Sequence, residues 1–476
     1  MSGNATVVQV GSVSVSTSGA LTGQLLAQFA SALSVASQAT VPSTTVVGTL
    51  GSPIVLPGPT GSGVGQTLVV PVSDQGVISV PGGYQFIYSQ GTNQVAGADS
   101  TQAVIGSSGP LNYSGGAGTV MATGTQAGTG TVVDTTAGAQ FGVANAGELI
   151  FGLADSQGYG FDSGFSTLVA TGKNGSVSVD GTGSVVSYFV TSADYTQTGG
   201  SATFIAGAGG NTLNAAAGNT VFWGSSAGDM VTLGSGNAEI LNSTGKSTIT
   251  AGSGADTVFA QGGVNYTGGS GTSFFIGGTG MSTVYTAKNE VAFGGKGGDV
   301  FSVQAGGSLL FVGTGGADTI SGGTTKPTMW GNNNESLTAV NSVHGGIYIM
   351  YGNNDNLNMA SAGGASYVIG VEGGPFAGTQ NITMSGAGND TLVLHSASEY
   401  GLANAGAHTI TITNWQATDV LDLTFTAISG QDFGYQVSDQ TAAQKALGSS
   451  SSVTLADGTK LVFQGAKPTS GQIWHV

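Results

Sequence analysis

Steps of nine residues taken from Asn211 land on Thr220, Asp229, Ala238, Ser247, Asp256 and Asn265, and one step back lands on Ala202. With small slips the register continues through Ser273, Ser282, Val291, Asp299, Ser308, Asp318 and Pro327. Two residues after these positions stand Phe204, Leu213, Phe222, Val231, Ile240, Ile249, Val258, Phe275, Val284, Phe293, Phe301, Leu310, Ile320 and Met329, and only Thr267 breaks the apolar rule. Two residues before them Gly recurs, as at Gly200, Gly209, Gly254, Gly297 and Gly316, with Ala227, Asn289 and Thr325 as exceptions. One inward apolar residue per short strand, followed by a turn tolerant of positive φ, predicts coils that stack on one another. The predicted fold is all-β: a parallel β-solenoid of the β-roll or β-helix type, with two nonapeptides per flattened coil and apolar side chains in continuous ladders.

Gly294-Gly295-Lys296-Gly297-Gly298-Asp299-Val300-Phe301-Ser302 fits the pattern G-G-x-G-x-D-x-U-x, where U is a large apolar residue. Gly252-Ser253-Gly254-Ala255-Asp256-Thr257-Val258 and Gly386-Ala387-Gly388-Asn389-Asp390-Thr391-Leu392 lack only its first Gly, and Gly313-Thr314-Gly315-Gly316-Ala317-Asp318-Thr319-Ile320 loses the second. The chain resembles the RTX (repeats-in-toxin) nonapeptide β-roll family over 201–395, most firmly to about residue 330. The resemblance implies a type I secretion substrate whose uncleaved export signal follows the repeats. It also implies calcium between successive coils, held by repeat Asp residues and turn carbonyls, since Ca²⁺ takes six to eight oxygens.

Looser glycine clusters and short apolar runs predict an irregular solenoid over 61–200. Residues 1–60 combine a Pro-containing stretch, read as a linker or extended strand, with an apolar stripe at helical spacing through Leu21, Leu25, Leu26, Phe29 and Leu33. That helix reads as a cap on the open solenoid end, or alternatively as a docking or polymerisation helix. From 396 to 476 the pattern changes to a small β-rich segment: a strand His408–Trp415, a short helix near 439–448, and a hairpin with an Asp457-Gly458 turn.

Composition narrows the function. The 8 basic residues are all Lys, against 24 acidic ones, for a formal charge of -16, so a nucleic-acid partner is excluded for want of clustered cations. There is no Cys, and no apolar run is long enough to span a membrane. The N-terminus lacks the basic and apolar regions of a cleaved signal peptide, in keeping with an address at the other end.

A metal site needs an Asp on the same edge one coil later. On one edge stand Asn211, Asp229, Ser247, Asn265, Ser282, Asp299 and Asp318; on the other Thr220, Ala238, Asp256, Ser273, Val291, Ser308 and Pro327. Only Asp299 and Asp318 are consecutive, so few calcium ions are expected: first at Asp299 and Asp318, then at Asp256 and Asp390. Elsewhere Ser and Asn are expected to bond the turn backbone instead. Catalytic patterns are weak. Asp419 with Asp422, or Asp155 with Asp162, are possible carboxylate pairs, but read better as turn and surface residues. His344, His395, His408 and His475 have no metal spacing. Trp223, Trp330, Trp415 and Trp474, with Tyr84, Phe86 and Tyr88, offer faces for stacking on sugars, but those in repeat register are expected to pack inward.

The sequence therefore predicts an extracellular or cell-surface structural protein (surface-layer, fibre, biofilm-matrix or adhesin) that self-assembles as a homo-oligomer or filament and touches cell-surface or matrix polysaccharide. The alternative is a polysaccharide lyase, epimerase or hydrolase on a β-helix. A third reading, ice or polysaccharide binding, is weakened because Thr212, Thr248 and Thr257 make no unbroken Thr rows.

Overall fold

The computed structural model describes strand backbones from Thr6 onward and side chains from residue 149 onward; 18–44, 322–326, 341–345, 362–366, 372–377, 396–407 and 425–434 are among the stretches outside the described residues. The expected helix through Leu21–Leu33 falls in one of them. The chain is a parallel β-solenoid, and divides into two units, Met1–Ala238 and Glu239–Val476.

In each unit successive strands go alternately to two parallel sheets, so that a strand pairs with the strand two places later in the chain. In sheet I of the first unit, Ala193–Gln197 pairs with Thr212–Ala215 and that with Met230–Leu233; in sheet II, Ser184–Phe189 pairs with Ser201–Ala206 and that with Asn219–Trp223. In the second unit, sheet I runs through Ser247–Thr250, Val264–Thr267, Thr283–Tyr285, Val300–Ser302 and Ala317–Ser321. Its sheet II runs through Asp256–Ala260, Thr272–Gly277, Asn289–Phe293, Ser308–Val312, Thr328–Gly331 and Ile347–Met350.

The inward ladders carry most of the burial. Phe189, Tyr195, Phe204 and Phe222 interlock in the first unit with ring centroids 4.7–6.1 Å apart. In the second, Phe301 packs edge-on against both Phe275 and Phe311. Each such ring taken from water contributes about 2–3 kcal/mol, and backbone pairing above and below makes the thin core cooperative.

Three steps of the nine-residue register are one residue out. Thr283 pairs with Asn265, so the ladder residues behind it are Val264 and Tyr266 rather than Asn265 and Thr267. Likewise Glu290 and Ala292 are inward in place of Val291 and Phe293, and Leu309 and Phe311 in place of Ser308 and Leu310. The apparent polar exception at Thr267 thus disappears, because Tyr266 fills that rung. Trp223 and Trp330 each follow an inward residue, Phe222 and Met329, and stand outward at 50% and 42% exposure, contrary to the expected inward packing; Trp415 does pack inward, on Phe463.

The two outer faces differ. On sheet I the outward residues are mostly hydroxyl and amide, for example Thr248, Thr250, Asn265, Thr267 and Thr319. On sheet II of the second unit one outward row reads Phe259, Ile276, Phe293, Val312, Trp330, Ile349, and the row beside it includes Phe274, Val291, Leu310 and Ile347. The first unit repeats this on its own sheet II with Phe151, Val169, Tyr188, Ile205 and Trp223.

Beyond residue 395, Thr409–Thr413 and Lys460–Gln464 continue sheet I, while Val420–Asp422 and Ile473–Trp474 continue sheet II. Between them lie a helix, Val437–Ser449, and the expected hairpin, with Gly458 at φ 92 in its Asp-Gly turn.

Candidate functional site

The first inward position of the sheet I strands forms a buried, mostly polar column, interrupted by Val264. It runs through Asn211 and Asp229 in the first unit, and through Ser247, Val264, Ser282, Asp299 and Asp318 in the second. Beyond Asp318 it continues with two residues that spacing by nine misses, Glu335 and Asp355. Several of these residues follow a left-handed one: Gly298 (φ 73) precedes Asp299, Asn334 (φ 63) precedes Glu335, and Asn354 (φ 58) precedes Asp355. Gly and Asn reach that conformation most cheaply. The sequence signal was therefore present, as Gly331-Asn332-Asn333-Asn334-Glu335 and Gly352-Asn353-Asn354-Asp355, but insertions had moved it out of step.

Side-chain oxygens of this column accept backbone N–H groups from the coil before. Asn211 Oδ1 accepts from Ala193 N at 2.9 Å, and Asp229 Oδ1 from Asn211 N at 3.0 Å. Ser282 Oγ accepts from Val264 N at 3.3 Å, Asp299 Oδ1 from Ser282 N at 2.7 Å, Asp318 Oδ1 from Asp299 N at 2.6 Å, and Asp355 Oδ1 from Glu335 N at 3.0 Å. The second carboxylate oxygen often takes an N–H of its own turn: Asp229 Oδ2 from Ser225 at 3.0 Å, and Asp299 Oδ2 from Gly295 at 2.9 Å. Glu335, set one rung off, reaches with its longer chain to Gly315 and Gly316 N. Each carboxylate is thus a staple between coils, at the strand start where backbone donors would otherwise be buried unpaired.

Room for these groups comes from the opposite sheet. A Cβ on Gly277 would strike Asp299 Oδ2, one on Gly294 would strike Asp318 Oδ2, and one on Gly313 would strike the Glu335 carboxyl. The glycine that opens a repeat therefore faces an acid one coil further on.

Acids stacked directly on acids create an electrostatic problem. Asp318 Oδ2 and Glu335 Oε1 are buried and receive no hydrogen bond from a described N–H or O–H donor. Hydrogen bonding between the two side chains requires a proton on one of them, and the Asp318 carboxyl is pushed up to about 8, by burial first and by the Glu335 charge second. A second, shorter column lies in sheet II, where Asp256, Ser273 and Glu290 stack. Tyr266 donates its hydroxyl to Ser273 Oγ at 2.6 Å, and Glu290 is raised to about 7, chiefly by burial and then by Asp256.

Of the residues expected to hold calcium, only Asp299 and Asp318 are neighbours. Asp256 belongs to the sheet II column. Asp390 stacks under Asp419, which accepts Asp390 N at 3.1 Å and Gln416 N at 2.7 Å, while Asp390 Oδ2 accepts Ser385 N. Asp419 is accordingly a buried staple, raised to about 6 mainly by burial, and Asp422 instead caps Thr424. Both Asp299 oxygens accept backbone N–H groups, from Ser282 and from Gly295. Among the described residues no three acidic or imidazole groups converge on one point. Asp155 accepts Lys173 N at an exposed turn, and His408 is buried with its pKa lowered by burial. Asp162, His344 and His475 lie outside the described residues, as does the side chain of His395.

No family model, curated protein or solved structure matches the chain.

Proposed function

We propose that this chain is an extracellular structural protein of the RTX-like β-roll type, built to assemble at a cell surface or in a matrix rather than to turn over a substrate. The observation that carries the reading is the use made of the buried acids. Asp229, Asp299, Asp355, Asp390 and Asp419 all spend carboxylate oxygens on backbone N–H groups of the coil before or of their own turn. The acids whose pKa is raised, Asp318, Glu290 and Asp419, are all buried where no polysaccharide reaches them, which weighs against the enzymatic alternative. Export by a type I system through the region 396–476, and a role as surface-layer, fibre, biofilm-matrix or adhesin material, extend this reading from the repeat motifs.

In this reading the coils hold together by packing and stapling, and calcium trims them at most locally. Electron microscopy of the purified chain, with and without chelator, tests it. Ordered filaments or sheets that survive chelation are expected. Dispersed monomers under all conditions, or calorimetric uptake of many calcium ions per chain with loss of fold on chelation, would overturn it.

A further inference from the structure

Rows of large apolar side chains on an outer sheet face are unusual where the opposite sheet presents Thr, Ser and Asn. We propose that the outer face of sheet II docks against the same face of a second copy of this chain, so that the two copies pack sheet on sheet. This rests on the assembly reading above and names the surface that carries it.

The face is apolar along its described length in the second unit: from Phe259 to Ile349 the two outward rows contain no charged residue, with Thr257 and Thr328 as the polar exceptions. For a chain of charge -16, a charge-free strip is where two copies approach at the smallest repulsive cost. Its side chains are well presented, with Trp330 at 42% and Leu310 at 39% exposure, and Phe274 and Phe293 form an edge-on pair at 5.5 Å on the surface itself.

Three arguments select a second copy as the occupant. The rows repeat at the coil spacing of roughly 4.8 Å, and a partner strip of the same period interdigitates along its whole length. The strip measures roughly 30 Å by 10 Å from strand spacing alone, well under the roughly 800 Å² per partner of a standard interface. A weak, reversible association is therefore the expected outcome. Finally, the chain already covers this face at one end: the outward Thr391 and Val393, which continue the same rows through Tyr367 and Ile369, are 8% and 4% exposed. This face joins copies in pairs, the first step of the larger assembly expected above.

Sedimentation velocity of the full chain over a concentration series tests this. Val312→Asp puts a carboxylate in the strip, Trp330→Ser removes its largest exposed ring at an outward position, and Thr283→Asp places the same charge on the outer face of sheet I. Concentration-dependent dimerisation is expected for the parent, weakened about tenfold or more, ~1.4 kcal/mol, by Val312→Asp and measurably by Trp330→Ser, with circular dichroism unchanged, and left intact by Thr283→Asp. If Thr283→Asp abolishes association and the sheet II variants do not, or if none of the three matters, the face is wrong while the assembly reading stands. A parent that sediments as a monomer throughout overturns both, and a monomeric parent that floats with lipid vesicles in a Val312-dependent manner replaces the second copy with a membrane surface.

Discussion

The first and second units use one staple position in two chemical ways. In the first, an amide lies against a carboxylate: Asn211 Nδ2 donates to Asp229 Oδ1 at 2.7 Å, and Ser225 N donates to Oδ2. In the second, Asp299, Asp318, Glu335 and Asp355 stack acid on acid, and burial with the Glu335 charge pushes the Asp318 carboxyl up to about 8. The backbone geometry is common to both, since Asp229 and Asp299 each accept the N–H of the column residue one coil back. What differs is the charge left over, and with it the dependence on solution conditions. A repeat column can therefore be held by hydrogen bonds of one geometry while its neighbours decide whether it responds to pH.

The largest effect should come from breaking the acid column. Asp299→Ala strips acceptors from both Ser282 N and Gly295 N and should cost about 4 kcal/mol, from two buried donors left unpaired at about 2 kcal/mol each. Urea unfolding at neutral pH measures it, and a loss under 1 kcal/mol, about half of one such penalty, would remove the staple argument.

Next, Gly313→Ala drives a methyl into the Glu335 carboxyl and should cost about 1–3 kcal/mol by overpacking. The first unit has Ala170 and Ala206 at the corresponding inward position of sheet II, so Ala206→Gly should cost less, about 1 kcal/mol. Equal effects would sink the claim that glycine there makes room for an acid.

The pH response separates the columns more finely. Asp318 has a folded pKa raised to about 8 above an unfolded value of about 3.9. The stability tied to its proton is fully present below the unfolded value, falls as the unfolded chain ionises first, and is lost as pH rises through about 8. Asp318→Asn keeps an oxygen for Asp299 N and offers Glu335 a donor that does not titrate. Its melting temperature should exceed the parent's at the alkaline end of that window and converge with it at the acidic end; parallel curves would refute the raised Asp318 carboxyl.

Smallest of all, Asp229→Asn keeps an oxygen for the Asn211 backbone and removes the charge assistance, for a cost of about 1 kcal/mol. Urea unfolding measures it, and a loss as large as that of Asp299→Ala would refute the ranking.

Much of this was legible in the chain. Phe204, Leu213, Phe222, Ile249, Val258 and Phe301 were identified as inward from spacing alone, and all are buried. The errors fell where a coil is one residue shorter. Ser282 lies 17 residues before Asp299, while Asn211 lies 18 before Asp229. Strand side chains alternate, so a one-residue slip exchanges the two faces, and a deletion inside a Gly- and Ser-rich turn leaves no mark of its position. That is why Val264 and Glu290 were missed. Glu335 and Asp355 escaped for the opposite reason, since insertions carried them out of step although the Asn-rich turns before them announce the same backbone.

The amino-acid sequence by itself determined the repeat, the apolar ladder and the lack of a basic surface, because these are properties of composition and period that survive small errors of register. Only the tertiary structure decided which acids stack, which glycine faces which carboxyl and which outer face is greasy. Those depend on pairing between residues a coil apart, where one inserted or missing residue changes every partner that follows.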